Sequence, residues 1–347
     1  PPPFSSRRRH TRYADRSRGL GDVYKRQRLT SMLASFRLRQ IDQGELWTQV
    51  RKRSEAEGVE AQERASLWAL GYFAAEQMAP VDRVVALESL FRSEVESPLQ
   101  LFQLPVDLLW QAYLQYAELV GNRSELLLGA DEKWLELAAS TSKETPVKAR
   151  SLYAMLMLKS ADGEVANRAA TGYMGTFAEI DEAEHHLLQN LFNHSGTFPS
   201  ARDIPAGIRY QLVDLALRSA DIEEATRLMS GLNTVPAGTI RFDWQLRQSR
   251  VLILGGRYEE GNQVLQSLIG EYREADTEST DRILQVLFDL QTVNLYAESI
   301  AHFNQLLLLK LDPGQRREIL FWIADSYRGL EKFEQAALLF LQSAMLP

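Results

Sequence analysis

Three histidines close to a run of carboxylates are the residues of this chain that most suggest metal chemistry. His185, His186 and His194 follow shortly after Asp181. On a helix, His186 and His194 would lie about 12 Å apart, too far to share one ion, and the adjacent His185 would point roughly 100° away from His186. The His-Glu-x-x-His spacing of a zinc protease is also missing. We therefore expect these histidines to lie on the surface or in the packing, with no metal site.

Other patterns that could support catalysis are equally incomplete. The chain has no cysteine, which excludes thiol nucleophiles, disulfides and Cys-ligated metals. Neither Gly255-Gly256 nor the pair Gly172 and Gly175 leads into the Gly-Lys-Ser/Thr end of a phosphate-binding loop, so we interpret them as hairpin-turn and helix-packing glycines. Ser195 lacks the preceding glycine of a nucleophile elbow. The sequence thus predicts a non-enzymatic protein without a cofactor.

Charge and hydropathy narrow the classes of partner. The first 27 residues are strongly basic, so the rest of the chain is more acidic than the formal net charge of −7 indicates. An acidic surface repels phosphate backbones, and nucleic acid is not expected as a partner. Apolar runs such as Leu306 to Leu309 fall far short of the roughly 18 residues that a membrane span requires. A cysteine-free composition fits a cytoplasm and a bacterial periplasm equally well.

The two ends of the chain have unusual sequences. Residues 1–27 combine Pro1-Pro2-Pro3 with arginine-rich runs and resemble the conceptual translation of sequencing-adapter DNA, so we expect a disordered, non-native tail. A basic nucleic-acid arm, a localisation signal and an Arg/Ser-rich transit peptide stay open as alternatives. At the other end no polar capping helix precedes Pro347, and we expect the natural protein to continue.

Helices are the elements that must position any functional residue, and the clearest pair lies near the C-terminus. Two stretches there carry apolar or small residues at helical spacing: Leu320, Ile323, Ala324 and Tyr327, and then Phe333, Ala336, Phe340 and Ser343. A tight turn from Gly329 to Lys332 is predicted between them, so the two helices must fold back antiparallel.

The same pattern recurs upstream at a regular period. The residue that follows the turn in each unit is Ile222, Tyr258, Tyr296 or Phe333, at spacings of 36, 38 and 37 residues. The further members of the three upstream units are Ala225, Met229 and Leu232, then Gly261, Leu265 and Leu268, and then Ser299, Phe303 and Leu306. Pro and Gly in Val235 to Gly238 and in Leu311 to Gly314 fall where one hairpin should end and the next begin.

These units resemble the tetratricopeptide repeat, in which small and aromatic residues alternate at fixed positions of a helical hairpin of about 34 residues. In the last unit those positions are filled by Ala324, Tyr327, Phe333, Ala336 and Phe340, while Ser343 stands where an alanine is usual. Roughly residues 206–347 are covered. The resemblance implies an all-α fold, an α-solenoid of antiparallel helical hairpins in which the aromatic residues fill the wedge to the next hairpin.

The resemblance also implies a function, that of a scaffold or adaptor holding a protein or peptide in a concave groove lined by the first helices. Carried over unit by unit, the groove residues are Tyr210, Asp214, Arg250, Phe288, Gln291, Phe321, Asp325 and Arg328. Two alternatives stay open: several of these residues pack between repeats instead, or the repeats are the docking arm of a larger enzyme or regulator whose catalytic or sensor domain lies outside this chain.

Residues 28–198 keep the helical rhythm but lose the repeat signature. Amphipathic helices are predicted at Asp42 to Glu57, Ala61 to Met78, Pro80 to Val95, Pro105 to Val120, Ser124 to Ser142, Thr145 to Ser160, Asp162 to Phe177 and Asp181 to His194. Pro80, Pro105 and Pro146 are placed in first turns, and Thr145 is the predicted cap of its helix. Degenerate repeats of the same array or a distinct helical domain both fit. The segment Gly196 to Pro199 is the predicted joint before the repeats at 199–347.

Overall fold

The computed structural model describes residues 24, 26–93, 104–122, 124–125, 128–178, 180–236, 239–272 and 277–346. In these ranges all regular structure is helical and there is no strand. Most of the predicted tail and the Ala237-Gly238 part of one predicted turn lie outside the described residues. The chain divides into two compact units, the first ending at Pro205 and the second beginning at Ala206.

Nine helices can be named in the described part of the first unit. They are α1 (26–37), α2 (Gln43–Ser54), α3 (Ala61–Ala74, followed by a 3₁₀ turn at Ala75–Gln77), α4 (Pro80–Phe91), α5 (Asp107–Val120), α6 (Asp131–Thr141), α7 (Pro146–Lys159), α8 (Gly163–Met174) and α9 (Glu182–Gln189). A π turn, Asn190–His194, continues α9. Because α1 includes residues 26 and 27, helix begins before the predicted boundary at residue 28.

Local capping chemistry explains several of these helix starts and corrects others. The side chains of Asp42, Asp162 and Asp181 accept hydrogen bonds from backbone N–H groups in the first turns of α2, α8 and α9. Pro146 occupies the first turn of α7 as predicted, but the Thr145 side chain does not cap it. Its hydroxyl instead donates to the carbonyl of Thr141 at 3.3 Å, which removes it from the N–H groups of α7.

One predicted helix start in this unit was wrong, and one predicted helix is interrupted. Helix α5 begins at Asp107, so Pro105 precedes the first turn, and its carbonyl accepts from Leu108 N–H at 3.1 Å. Ser124 and Glu125 are helical as predicted, but Gly129 adopts a φ of +80° that interrupts the predicted helix, and α6 begins only at Asp131.

A buried network of charges lies in the core of the first unit. Glu88 of α4 accepts two hydrogen bonds from the Arg150 guanidinium of α7, at 2.7 and 2.6 Å. It also accepts from Tyr113 Oη of α5 at 2.8 Å and from Arg92 at 3.2 Å. The ring of Tyr113 meets that of Tyr173 of α8 edge to face, with centroids 6.3 Å apart. The network therefore joins four helices around one carboxylate.

Helix α9 returns to pack on helices much earlier in the chain. Arg92 Nε donates to Glu184 at 3.0 Å, and the Asn190 amide donates to the carbonyl of Phe91 at 3.0 Å. Trp110 Nε1 donates to the carbonyl of Leu191 at 3.3 Å. In a pure repeat array each unit contacts only its neighbours. These contacts with α4 and α5 favour a closed helical bundle for the first unit.

The second unit consists of four consecutive helix pairs in its described part. They are α10 (Ala206–Arg218) with α11 (Ile222–Met229), α12 (Arg241–Leu254) with α13 (Tyr258–Glu271), α14 (Thr277–Thr292) with α15 (Tyr296–Leu306), and α16 (Pro313–Gly329) with α17 (Phe333–Met345). The four residues predicted to follow a turn are the first residues of α11, α13, α15 and α17. Asp312 caps α16 in a capping box with Gln315, and Pro313 lies in its first turn.

Small residues lie where the paired helices of the second unit approach most closely. The residues three positions into α11, α13, α15 and α17 are Ala225, Gly261, Ser299 and Ala336, and all four are buried. A Cβ added to Gly261 would come within 2.7 Å of Ile253 on α12. The predicted packing positions are confirmed by this burial.

The aromatic positions of the second unit agree with the prediction only in part. Phe303 is buried, and the ring of Tyr296 lies 2.6 Å from where a Cβ on Gly329 would stand, so it fills the wedge to the next hairpin. Phe333 was also predicted to pack, but it is 64% exposed. It occupies the position of Tyr296 in a unit that no described hairpin follows.

Candidate binding face on the first helices

The predicted groove residues all lie on α10, α12, α14 and α16, the first helices of the four hairpins of the second unit. Consecutive first helices are joined along this surface by side-chain contacts, and we call it the first-helix face. Its joining contacts are Arg247 with Asp214, Arg282 with Asp243, Arg250 with Asp289, and Gln291 with Ser326.

The joint between α10 and α12 is made by Arg247. Its guanidinium lies 4.3 Å from the ring centroid of Tyr210 and bonds to Asp214 at 2.9 Å. Asp214 also pairs with Arg218 of its own helix at 2.7 Å. Burial is the main reason that the pKa of Tyr210 is raised to about 12. Tyr210 and Asp214 are therefore held by a neighbouring helix, and Tyr210 is buried.

Two Arg–Asp pairs join α12 to α14. Arg250 Nε bonds to Asp289 at 2.6 Å, and Arg282 bonds to Asp243 at 2.7 Å. The Arg282 guanidinium also lies 5.5 Å from the ring centroid of Phe242. Burial raises the pKa of Asp289 even though Arg250 opposes that change. The charge of Arg250 is thus already compensated within the protein.

Aromatic packing and an amide join α14 to α16. The ring of Phe288 lies 4.6 Å from that of Trp322, centroid to centroid. The Gln291 amide donates to the Trp322 carbonyl at 3.1 Å and to Ser326 Oγ at 2.6 Å. Both predicted residues of α14 therefore contact the next first helix.

The three predicted residues on α16 are more open. Phe321 is exposed, although its ring touches those of Trp322 and Phe340 at centroid distances of 5.2 Å. Asp325 accepts from Arg328 within the same helix, and the Arg328 side chain is exposed. The contacts described for these three side chains all lie within the α16–α17 hairpin.

The eight predicted residues thus fall into two groups. Tyr210, Asp214, Arg250, Phe288 and Gln291 contact another first helix, whereas Phe321, Asp325 and Arg328 do not contact another first helix through any described bond or ring contact. Arg247, Asp243, Arg282 and Trp322 also join first helices, and the repeat pattern did not indicate them. Opposite charges on consecutive first helices were the available signal, but pairing them requires the angle between the helices, which the repeat period does not provide.

A cleft of about 660 Å³ lies in the first unit between α3, the end of α4 and the start of α9. Its walls carry charges of both signs, with Arg64 and Arg92 facing Asp181 and Glu182. Arg64 donates to the carbonyls of Ser54 and Val59, at 3.1 and 3.3 Å. The mixed charges give the cleft no net preference for an anion or a cation.

The histidines lie on or next to α9. His186 lines the cleft, and its Nε2 is buried without a hydrogen-bond partner among the described residues. The rings of His185 and His186 are stacked at 6.0 Å, although adjacent helical side chains were expected to diverge. Burial lowers the pKa of His185, as does the nearby His186. His194 Nδ1 contacts Asn190 Oδ1 at 3.2 Å.

Across the described ranges, no group of three or more His, Cys, Asp or Glu residues could hold a metal ion. In that same part of the chain, no helix combines the length and apolar character needed to cross a bilayer. No family model matches the chain, and no curated protein or solved structure is significantly similar to it.

Proposed function

We propose that this protein is a non-enzymatic scaffold or adaptor of the tetratricopeptide type, an α-solenoid that binds a protein or peptide on the first-helix face of its second unit. The observation that carries this proposal is the set of side-chain joints between consecutive first helices. Because four helices are fixed side by side before any partner arrives, binding does not require them to be ordered. A preformed surface of this kind suits a scaffold.

The residues proposed to meet the partner are Phe321, Asp325 and Arg328. Aromatic and arginine side chains are enriched among residues that dominate binding energy, because they bring large contact areas and directional hydrogen bonds. Phe321 supplies an exposed ring next to Trp322, and Arg328 supplies an exposed guanidinium. The half-buried residues of α12 and α14 are proposed to hold this surface in shape.

Selection of binding peptides tests the proposal. Peptides would be selected from a random display library on the full chain, and their dissociation constants measured by titration calorimetry. We expect Phe321→Ala and Arg328→Glu to weaken the selected peptides by about tenfold or more, as loss of a dominant contact does. Loss of helicity in either variant would show by circular dichroism.

Arg257→Glu is the matched control. Arg257 is an exposed arginine that pairs with a carboxylate three residues away, as Arg328 does, but it lies in the turn before α13. Its replacement should leave peptide affinity unchanged. Peptides whose affinity is the same for the wild type and for Phe321→Ala and Arg328→Glu would refute the proposed face, and so would the failure to select any peptide.

A further inference from the structure

The last helix, α17, exposes an apolar stripe that the proposed binding face does not use. Leu338, Leu341 and Met345 are 63%, 59% and 77% exposed. Glu334 is the single charged residue among the 13 residues of α17. A helix that is apolar around most of its circumference is typical of a buried helix. The outward side of α17 therefore has the composition of an interface.

Corresponding positions in the three preceding hairpins show that this side is not a place where hairpins stack. Counted from the first residue of the second helix, Leu338 corresponds to Arg227, Gln263 and Ala301, and Leu341 corresponds to Ser230, Gln266 and Asn304. All six are exposed although another hairpin follows each of them. A further hairpin stacked on α17 in the same manner would leave Leu338 and Leu341 in solvent.

The two aromatic residues of α17, Phe333 and the half-buried Phe340, do not belong to the stripe. Phe340 corresponds to Phe303, and Phe333 corresponds to Tyr296. Phe303 is buried, and the ring of Tyr296 packs over Gly329 of the next hairpin. In the preceding hairpin the positions of Phe333 and Phe340 are thus packed, whereas the positions of Leu338 and Leu341 are exposed in all three preceding hairpins.

The spacing of the stripe matches a helix-to-helix seam. Glu334, Leu338, Leu341 and Met345 follow one another at intervals of four, three and four residues, the spacing of the contact positions in paired helices. The residues that flank the stripe are uncharged and exposed: Ala337 and Ala344 on one side, and Gln335 and Gln342 on the other. The seam is therefore about three turns long and nearly free of charge.

We propose that α17 pairs antiparallel with α17 of a second copy of this chain, with Leu338 of each copy packed against Leu341 of the other. A two-fold contact uses the same patch twice, so the patch must be complementary to itself. Antiparallel pairing places the two Glu334 carboxylates at opposite ends of the seam, where they do not meet. A partner helix with charges at its central contact positions would instead bury them against Leu338 and Leu341, which cannot pair with them.

Sedimentation velocity on the full 347-residue chain tests this pairing. From about 1 to about 200 µM, the range in which weak dimers dissociate, the mass should rise from 39.4 kDa toward about twice that value. The double variant Leu338→Gln/Leu341→Gln should weaken the dimer by about tenfold or more. Because both side chains are exposed, the melting temperature of the dilute variant should stay unchanged.

Leu308→Gln is the matched control, because Leu308 is an exposed leucine at the end of α15. The same chemical change there should leave dimerisation unaffected. A chain that stays monomeric over the whole range would overturn the proposal. So would a dimer that survives the double substitution on α17, or one that Leu308→Gln weakens equally.

The absence of cysteine allows the orientation to be tested separately. Leu338→Cys and Leu341→Cys chains would be oxidised alone and as a mixture. Antiparallel packing brings residue 338 of one copy near residue 341 of the other, within the distance that a disulfide spans. Mixed disulfides should therefore form fastest. Preferential formation of disulfides between identical variants would refute the antiparallel arrangement.

Discussion

Arg–carboxylate pairs join helices in both units, but the pairs of Glu88 in the first unit are more deeply buried than the pair of Asp289 in the second. In the first unit Glu88 is buried and receives hydrogen bonds from Arg150, from Arg92 and from a tyrosine hydroxyl. In the second unit Asp289 is half-buried and is bonded by Arg250. Burial acts to raise the pKa of both carboxyl groups, yet the pKa of Glu88 is lowered and that of Asp289 is raised. The number of donors, more than depth, sets the direction of the shift.

The units also differ in how far their contacts reach along the chain. In the first unit, Arg92 of α4 bonds to Glu184 of α9, so the last helix closes on early ones. The described contacts of the second unit run between hairpin partners and between adjacent hairpins. A closed bundle unfolds as one cooperative body, whereas a stacked array loses stability from its ends. We therefore expect a destabilising substitution in the first unit to lower the stability of the whole unit. In the second unit, it should lower the stability of the substituted hairpin and its neighbours.

The largest expected effect comes from leaving Glu88 without its main partner. Arg150→Met should destabilise the first unit by about 3–5 kcal/mol, because it leaves a buried carboxylate with too few donors. Arg250→Met is the matched change in the second unit and should cost about 1 kcal/mol or less, since that pair is partly exposed. Urea unfolding, with hydrogen exchange to separate the two units, measures both. Equal losses of unfolding free energy in the two variants would contradict this difference between the units.

The double variant Glu88→Gln/Arg150→Met sharpens this test. Because no uncompensated charge remains, the double variant should recover part of the stability lost in Arg150→Met. A double variant less stable than Arg150→Met would show that the carboxylate is not the source of the cost.

A smaller loss of stability is expected when a larger side chain is placed where the two helices of a hairpin approach most closely. Ala336→Arg should destabilise the α16–α17 hairpin by about 1–3 kcal/mol, because a long charged side chain must enter a buried contact. Ala337→Arg, at the exposed neighbouring position, should change stability by no more than about 0.5 kcal/mol. Thermal unfolding of dilute protein compares them. An unchanged melting temperature in Ala336→Arg would contradict the register of this hairpin.

The smallest expected effect is a difference in how the free energy of unfolding of the two units changes with acid. Glu88 has a lowered pKa in the folded state, so its stabilising contribution is present at neutral pH and lost as the pH falls through that pKa. Asp289 has a raised pKa, so its contribution is largest in acid and lost as the pH rises through its folded-state pKa. Unfolding free energy measured from neutral pH down to about pH 3, below the ordinary pKa of a glutamate, should therefore fall less in Glu88→Gln, and fall more in Asp289→Asn, than in the wild type. Parallel pH profiles for all three proteins would contradict these assignments.

The sequence predicted the second unit well because its signals are local. Ile222, Tyr258, Tyr296 and Phe333 each begin a second helix, and the small residue three positions later is buried in every unit. A turn, a helix start and a close approach between neighbouring helices all follow from residues a few positions apart. The exposure of Phe333 was not predictable on that basis, because it depends on what packs beyond the hairpin.

The network of the first unit could not be predicted in this way. Glu88 and Arg150 are 62 residues apart, and Arg92 and Glu184 are 92 residues apart. Helical periodicity marks Glu88 only as one more charged residue in a helix that also carries apolar ones. Arg150 reaches it because α7 packs against α4, and the repeat pattern does not predict that contact. The same limit applies to the first-helix face, where the bonding partners of Arg250 and Gln291 lie on another hairpin.

Tyr296 and Gly329 have a geometric consequence for the second unit. The ring of Tyr296 rests where a side chain on Gly329 would begin, so the thickness of one aromatic ring sets the spacing between two successive hairpins at that edge. Replacing the ring by a smaller side chain, or the glycine by a larger residue, would therefore tilt the α16–α17 hairpin relative to the hairpins before it. The pitch of such a stack can therefore be adjusted by one substitution, with the loops left unaltered.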